Sequence, residues 1–135
     1  MTDANERFLA DHDHLRDLGI AITDQREGYV RLRLPHDDAL TNPGSDAMQG
    51  GVVSTLIDHG GGAALRTTLD EPLETPHAST ELNVSFVQPA TDDLVAEAEV
   101  VRSGYSRGVV TVEVRREGDG ETVATGRVSL YIGRE

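Results

Sequence analysis

From Val30 to Leu34 the chain alternates apolar and charged residues, Val30-Arg31-Leu32-Arg33-Leu34, the period-two pattern of a half-buried strand. A short apolar run, Gly19-Ile20-Ala21-Ile22, precedes it, and Arg26-Glu27-Gly28 supplies a turn between them, so the two segments predict a hairpin. Before the hairpin, residues 4–16 place Phe8, Leu9 and Leu15 among charges, a short helical pattern. After it comes a polar stretch, Pro35 to Gln49, with a turn at Asn42-Pro43-Gly44. From Gly50 to about Leu69 no proline interrupts and a helix fits best, closed off by Pro72 and Pro76. Four further segments, Ser79 to Val87, Leu94 to Val101, Val109 to Arg115 and Thr122 to Ile132, show period-two stretches rich in β-branched residues. Pro89, Gly104 and Gly118-Asp119-Gly120 mark the turns between them. The order is helix, two strands, one long helix, four strands: an α+β domain with one antiparallel sheet and a central helix to cover it.

The long helix is the unusual element. On a wheel of about 100° per residue, Val52, Val53, Leu56, Ile57, Gly60, Ala63 and Ala64 share one broad face, the expected core face. Asp58 lies nearly opposite, among Gly51, Ser54, Thr55, Gly61 and Gly62, with Leu65 the one large apolar neighbour. A face turned to water would carry long charged residues; this one offers small residues around a single carboxylate. Each glycine inside a helix costs roughly 1 kcal/mol against alanine, so Gly60-Gly61-Gly62 implies a close approach to the backbone. We expect the approaching surface to be another subunit, meeting the helix beside Asp58. At the helix start, Gly50 and Gly51 leave backbone N–H groups at the positive end of the macrodipole, able to polarise a carbonyl. Asp58 lies roughly 12 Å further along the axis. Two antiparallel helices across a dimer interface would bring the two together.

Composition narrows the function. The 135 residues make one domain, 1–135, with 37% hydrophobic residues and no apolar run near the roughly 20 needed to span a bilayer. The start of the chain, acidic and without an apolar stretch, does not read as a signal peptide, and a cytoplasmic location is expected. Absence of cysteine excludes thiolate chemistry and disulfides. Net charge is −12, and every one of the twelve basic residues is arginine. Such a surface repels nucleic acid and anionic membranes.

The segment Gln49-Gly50-Gly51-Val52-Val53-Ser54-Thr55-Leu56-Ile57-Asp58 resembles the His-Gly-Gly-(four residues)-Leu-x-Asp signature of the phenylacetate-pathway (PaaI-type) hotdog thioesterases. Asn42 and Gly44 look like the polar loop residues ahead of that signature. The stretch from His77 to Ala90 looks like its following strand, and Arg102-Ser103-Gly104 and Ala124-Thr125-Gly126-Arg127 like its later turn and last strand. The resemblance implies a hotdog fold, an antiparallel sheet wrapped around a central helix, paired into homodimers and often homotetramers. It implies hydrolysis of an acyl-CoA thioester without a cofactor. Gly50 would polarise the thioester carbonyl through its amide, and Asp58 of the other subunit would act as general base or nucleophile. Ser79 matches a position that can orient the attacking water. Asn42, Gly51 and Thr80 would lie near the substrate, the Asn42 match being looser because its loop is one residue longer. Gln49 stands where the signature has histidine; it keeps a donor and an acceptor but cannot take up a proton. We read this as a changed hydrogen-bond geometry at a site that keeps Asp58 and Gly50.

Other residues carry less. His59 follows Asp58, but adjacent helix positions point about 100° apart, so packing is the expected role. His12, His14, His36 and His77 lack metal-ligand spacing, and no metal site is expected. Arg102 and Arg107 flank Gly104 on a turn and could meet the phosphates of coenzyme A, or equally pair with surface carboxylates. Two other readings compete with hydrolysis: a hotdog hydratase or dehydratase, which usually wants a histidine where Gln49 stands, and a non-catalytic acyl-CoA-binding protein.

Acid excess without lysine fits a protein built for concentrated salt, where the Debye length falls to about 3 Å and self-repulsion is screened. Melting temperature and activity should therefore rise together from dilute buffer to molar potassium chloride. A midpoint that stays flat or falls across that range would show that the acidic surface is no salt adaptation.

Overall fold

The computed structural model describes residues 3–134. Two short helices, α1 (Ala4–Asp11) and α2 (Asp13–Leu18), lead into a hairpin of β1 (Ala21–Arg26) and β2 (Tyr29–Leu34). A single 3-10 turn at Asp38–Leu40 precedes the long helix α3 (Gly50–Arg66). Strands β3 (His77–Phe86), β4 (Leu94–Ser103), β5 (Arg107–Arg116) and β6 (Thr122–Ile132) complete the chain. All six strands form one sheet in the order β1-β2-β4-β5-β6-β3, and every pairing is antiparallel. The sheet wraps α3, which is the hotdog arrangement.

The boundaries follow from local chemistry. The expected single N-terminal helix is two, because His12 is extended (φ −107°, ψ 101°) and its ring nitrogen faces the Leu15 N–H at the start of α2. The β1–β2 turn closes at Gly28, whose φ of 81° suits glycine. Helix α3 ends at Arg66, three residues earlier than its apolar pattern suggests. The hydroxyls of Thr67 and Thr68 donate to the Ala64 and Leu65 carbonyls at 2.6 and 2.7 Å, offering the backbone a competing partner.

Packing between α3 and the sheet is reciprocal. Where the helix has glycine, the sheet is large: a Cβ on Gly60 would meet Leu32, and one on Gly61 would lie 2.6 Å from Val128 Cγ2. Where the sheet has glycine, the helix is large: a Cβ on Gly126 would lie 2.6 Å from Ile57, and one on Gly108 would lie 2.5 Å from Leu65. This corrects the expectation that a second subunit fills the space over the glycine triplet. The chain's own sheet lies against Gly60 and Gly61, and Arg66 folds back over Gly62. Leu65, assigned by the wheel to the face opposite the core, is fully buried for the same reason, and Val52 is only half-buried. The sheet covers one side of the helix while Phe8 and the helix's own Arg66 cover His59 and Gly62, so a two-sided wheel underestimates its buried arc.

One flank of α3 is closed by the N-terminal helices. Asn5 is buried and donates to the Ala63 carbonyl at 2.9 Å. The Phe8 ring stacks on His59 with centroids 5.7 Å apart, and the Arg66 guanidinium lies over the Phe8 ring, 4.0 Å from its centroid. His59 is thus a packing residue, buried with Nε2 lacking any partner among the described residues. Burial, reinforced by the charges of Arg66 and His12, pushes its pKa down from 6.5 to about 3.

Two consequences can be measured. Gly61→Ala adds a methyl where Val128 already sits, costing about 1–3 kcal/mol of overpacking against at most about 1 kcal/mol gained in helix propensity. Urea unfolding should show net destabilisation, partly reversed by adding Val128→Ala; a variant as stable as wild type would refute the interlock. For His59 the folded pKa of about 3 lies below the ordinary 6.5, so the unfolded chain binds the extra proton. Its contribution is complete above pH 6.5 and is lost as pH falls toward 3. Between those limits wild type should lose up to about 1.4 kcal/mol per pH unit more than His59→Phe. Parallel stability–pH curves for the two proteins would contradict this.

Candidate active site

Helix α3 carries two separate half-sites. At its start Gln49 is extended (φ −64°, ψ 143°) and acts as the N-cap, its Oε1 accepting from the Gly51 N–H at 2.8 Å. The next amide, that of Gly50, has no acceptor among the described residues and remains available at the positive end of the helix. Asn42 lines a cavity of about 350 Å³ together with Gly50 and Phe86, so the loop and the helix start do converge. Phe86 lies over Gly50, where a Cβ would come 3.2 Å from its ring.

Two turns along, the half-buried Asp58 receives a hydrogen bond on Oδ1 from Ser79 Oγ at 2.6 Å. Strand β3 achieves this with a bulge: Ser79 pairs with Leu130, but Glu81 pairs with Ser129, leaving Thr80 as the extra residue. A cavity of about 570 Å³ opens beside the pair, lined by Thr55, Gly62, Arg66 and His77 among others. Its deep end is polar. Arg66 is 4% exposed and donates through Nε to Asn5 Oδ1 at 2.7 Å and through Nη1 to His77 Nε2 at 3.0 Å. A guanidinium can only donate, so His77 Nε2 is the acceptor, and its Nδ1–H donates to the Thr75 carbonyl at 2.8 Å. Burial lowers the His77 pKa, with the Arg66 charge acting in the same direction against the Thr75 bond. Burial also pulls the Arg66 pKa from 12.5 to about 10.

Not every expected residue joins these clusters. The Thr80 hydroxyl donates to the Ser129 carbonyl at 3.2 Å, and Thr80 lines neither cavity, because the bulge turns it to the neighbouring strand. Gly51 gives its N–H to the Gln49 cap, so its amide is not free for a substrate. Arg102, Gly104 and Arg107 sit on the β4–β5 turn, away from both half-sites within one chain. Neither arginine forms an ion pair among the described residues, contrary to the surface-pairing reading. Sequence reasoning passed over Arg66 and His77 as site residues. The available signal was spacing: Asp58, Gly62 and Arg66 recur every four positions and share one helix stripe. Among the described residues no cluster of potential metal ligands occurs, and no helix is long and apolar enough to cross a membrane.

Comparison with known proteins agrees with this architecture. The profile of the Thioesterase superfamily matches residues 47–123, which include Gly50, Asp58 and Ser79. A Halobacterium salinarum protein provisionally named an esterase is 38% identical over 96% of this chain and 91% of its own. The crystal structure of a thioesterase family protein from Silicibacter pomeroyi superposes with a TM-score of 0.87 at 30% identity, covering 95% of this chain and 94% of that one. The PaaI protein of E. coli, at 21% identity over 93% of this chain and 88% of its own, superposes with a TM-score of 0.83 and shares the fold. With the signature helix, the Asp58–Ser79 pair and the wrapped sheet all in place, the chain belongs to the Thioesterase superfamily.

Proposed function

We propose that this chain is an acyl-CoA thioesterase of the PaaI type, working as a homodimer that can pair into a tetramer. The observation that carries the reading is the Asp58–Ser79 hydrogen bond at the mouth of the larger cavity. Ser79 occupies one carboxylate oxygen and fixes the plane of the group, while Oδ2 has no partner among the described residues. In the reaction Oδ2 takes a proton from water as the oxygen attacks the thioester carbonyl carbon. The oxyanion that forms is met by the unbonded Gly50 N–H. Collapse of the tetrahedral intermediate re-forms the carbonyl and breaks the C–S bond, and the departing coenzyme A sulfur takes the proton from Asp58, restoring the carboxylate. Gln49 supports this as a cap that orients the helix start, and Asn42 borders the carbonyl from its loop. Arg102 and Arg107, both without carboxylate partners among the described residues, are positioned to meet phosphates of a CoA bound across the interface.

The need for two copies rests on two features. Eight residues separate Gly50 from Asp58, about 12 Å of helix rise, too far for both to act on one carbonyl within a chain. Strand β3 is a ten-residue sheet edge, exposed along nearly its whole length, with Leu82 and Phe86 40% and 57% exposed. A long apolar edge of this kind is a template for pairing. A second copy laid along β3 would bring each Gly50 toward the other chain's Asp58.

The test is complementation. Asp58→Asn should lower turnover about 10²–10⁴-fold, the range for loss of a general base. Gly50→Pro removes the helix-start N–H while keeping a residue that favours this position, and Gln49 already has the extended backbone a following proline requires. Refolded together, the two inactive variants should regain about a quarter of wild-type activity, since random pairing gives half mixed dimers with one intact site each. No recovery in verified mixed dimers, or Asp58→Asn retaining more than about a tenth of wild-type turnover, would defeat the assignment.

A further inference from the structure

The cavity beside Asp58 ends on a buried cation that forms no ion pair among the described residues, although Asp3 acts on it from further off. Arg66 is almost wholly buried, and no carboxylate among the described residues lies within ion-pair distance. Its partners are all neutral: Asn5 Oδ1, His77 Nε2 and the face of Phe8. Nη2 is shielded from solvent and donates to nothing, and His59 Nε2, in the wall of the same cavity, is likewise unpartnered. A buried charge satisfied only by neutral groups is costly, and the natural complement of a guanidinium is a carboxylate, which it binds with two N–H groups at once. In a protein of net charge −12, a buried guanidinium with Asp3 near it but no carboxylate in contact is a distinct arrangement.

Gly62 links this cation to the reacting end. Asp58, Gly62 and Arg66 follow one another every four residues, and the Arg66 side chain runs back over Gly62, where a Cβ would lie 3.3 Å from Nη1. A side chain at 62 would crowd the guanidinium where it faces the cavity that Asp58 also lines. The axial distance from Asp58 to Gly62 is about 6 Å. An extended chain advances about 1.2 Å per bond, so about four to six carbons bridge it. Thr55, Ala78 and Leu130 supply smaller or apolar wall along the way, with Glu74, His12 and His14 exposed at the rim.

We propose that this cavity takes the acyl chain of a dicarboxylic acid monothioester, about four to six carbons long, whose free carboxylate pairs with Arg66. The proposal rests on the thioesterase reading for the reaction at Asp58, but the pairing at Arg66 is a binding statement that stands or falls separately. A bound carboxylate would use Nη2 and supply the missing negative charge, and by the same charge it would raise the Arg66 pKa back from about 10.

The experiment compares thioesters of equal length that differ only at the far end: glutaryl- against pentanoyl-CoA, and adipyl- against hexanoyl-CoA, with thiol release as the readout. Wild type should favour the carboxylate-ended member by about tenfold or more in kcat/KM, mainly through KM. Arg66→Gln should erase that preference, lowering the rate on adipyl-CoA far more than on hexanoyl-CoA. A purely structural Arg66 would leave the ratio between the two esters unchanged, and a wild type that prefers the methyl-ended esters would overturn the proposal while leaving the hydrolase intact. If Arg66→Gln does not fold, binding to wild type decides. Free glutarate and adipate should raise its melting temperature, whereas pentanoate and hexanoate at the same ionic strength should not. Equal shifts from both kinds of acid would overturn the pairing. If no ester of any kind is hydrolysed, the thioesterase reading fails, and these melts still judge the cavity.

Discussion

The distance between the central helix and the sheet governs everything else in the molecule. It is set by an interlock in which each side is glycine where the other is bulky: Gly60 and Gly61 against Leu32 and Val128, Gly126 and Gly108 against Ile57 and Leu65. With ordinary side chains at these points the helix would stand further off. Ser79 on the bulged strand could not then reach Asp58, and their 2.6 Å hydrogen bond would be lost. The geometry of the Asp58–Ser79 pair is therefore a by-product of core packing. Glycines that weaken an isolated helix are stabilising here, because close-packed interiors gain dispersion contacts over the whole length of the approach.

Charge is distributed with similar economy. The acidic excess lies on the surface, and several arginines are tied there in ion pairs on the outer face of the sheet, such as Arg33 with Glu117 and Arg115 with Glu113. One arginine is withdrawn from that pool and enclosed by neutral groups beside the cavity. An unpaired guanidinium inside a negatively charged shell is an attraction for an anion that gets past the rim. The shell itself discourages anions that lack a second means of binding.

Much of this was legible in the amino-acid order, and the parts that were not have physical reasons. Strands with clean alternation, such as Val30 to Leu34, stand where the pattern places them, because one face is buried and one is wet. Strand β3 was legible as a strand from its β-branched residues, yet its burial does not alternate, since it forms the open edge of the sheet. Asp58 and Ser79, which the family resemblance singled out for separate roles, are joined by a hydrogen bond within one chain. Thr80 does not join them, because a one-residue bulge reverses which side a side chain faces, and nothing in the local composition announces it. The helix wheel placed Gly61 and Leu65 on the wrong side, since a wheel assumes one buried face and a wrapped helix has a wider one. Arg66 escaped notice because arginine at a helix end reads as a surface residue near the negative pole; only the tertiary cover from Asn5 and Phe8 makes it an interior one.

Gln49 holds a position with two obligations. Its side chain caps the helix by taking the Gly51 N–H, and the same residue borders the Gly50 amide, which has no acceptor among the described residues. A substitution there would alter the folding free energy and the local polarity in a single step, so the two traits cannot drift independently. Sequence change at this point is constrained to residues that can still close the helix, whatever they do for the substrate. The histidine of the related signature and the glutamine found here both meet that condition, since each offers a side-chain acceptor within reach of the first turn. The N-cap thus acts as a filter on the chemistry that can be explored beside it.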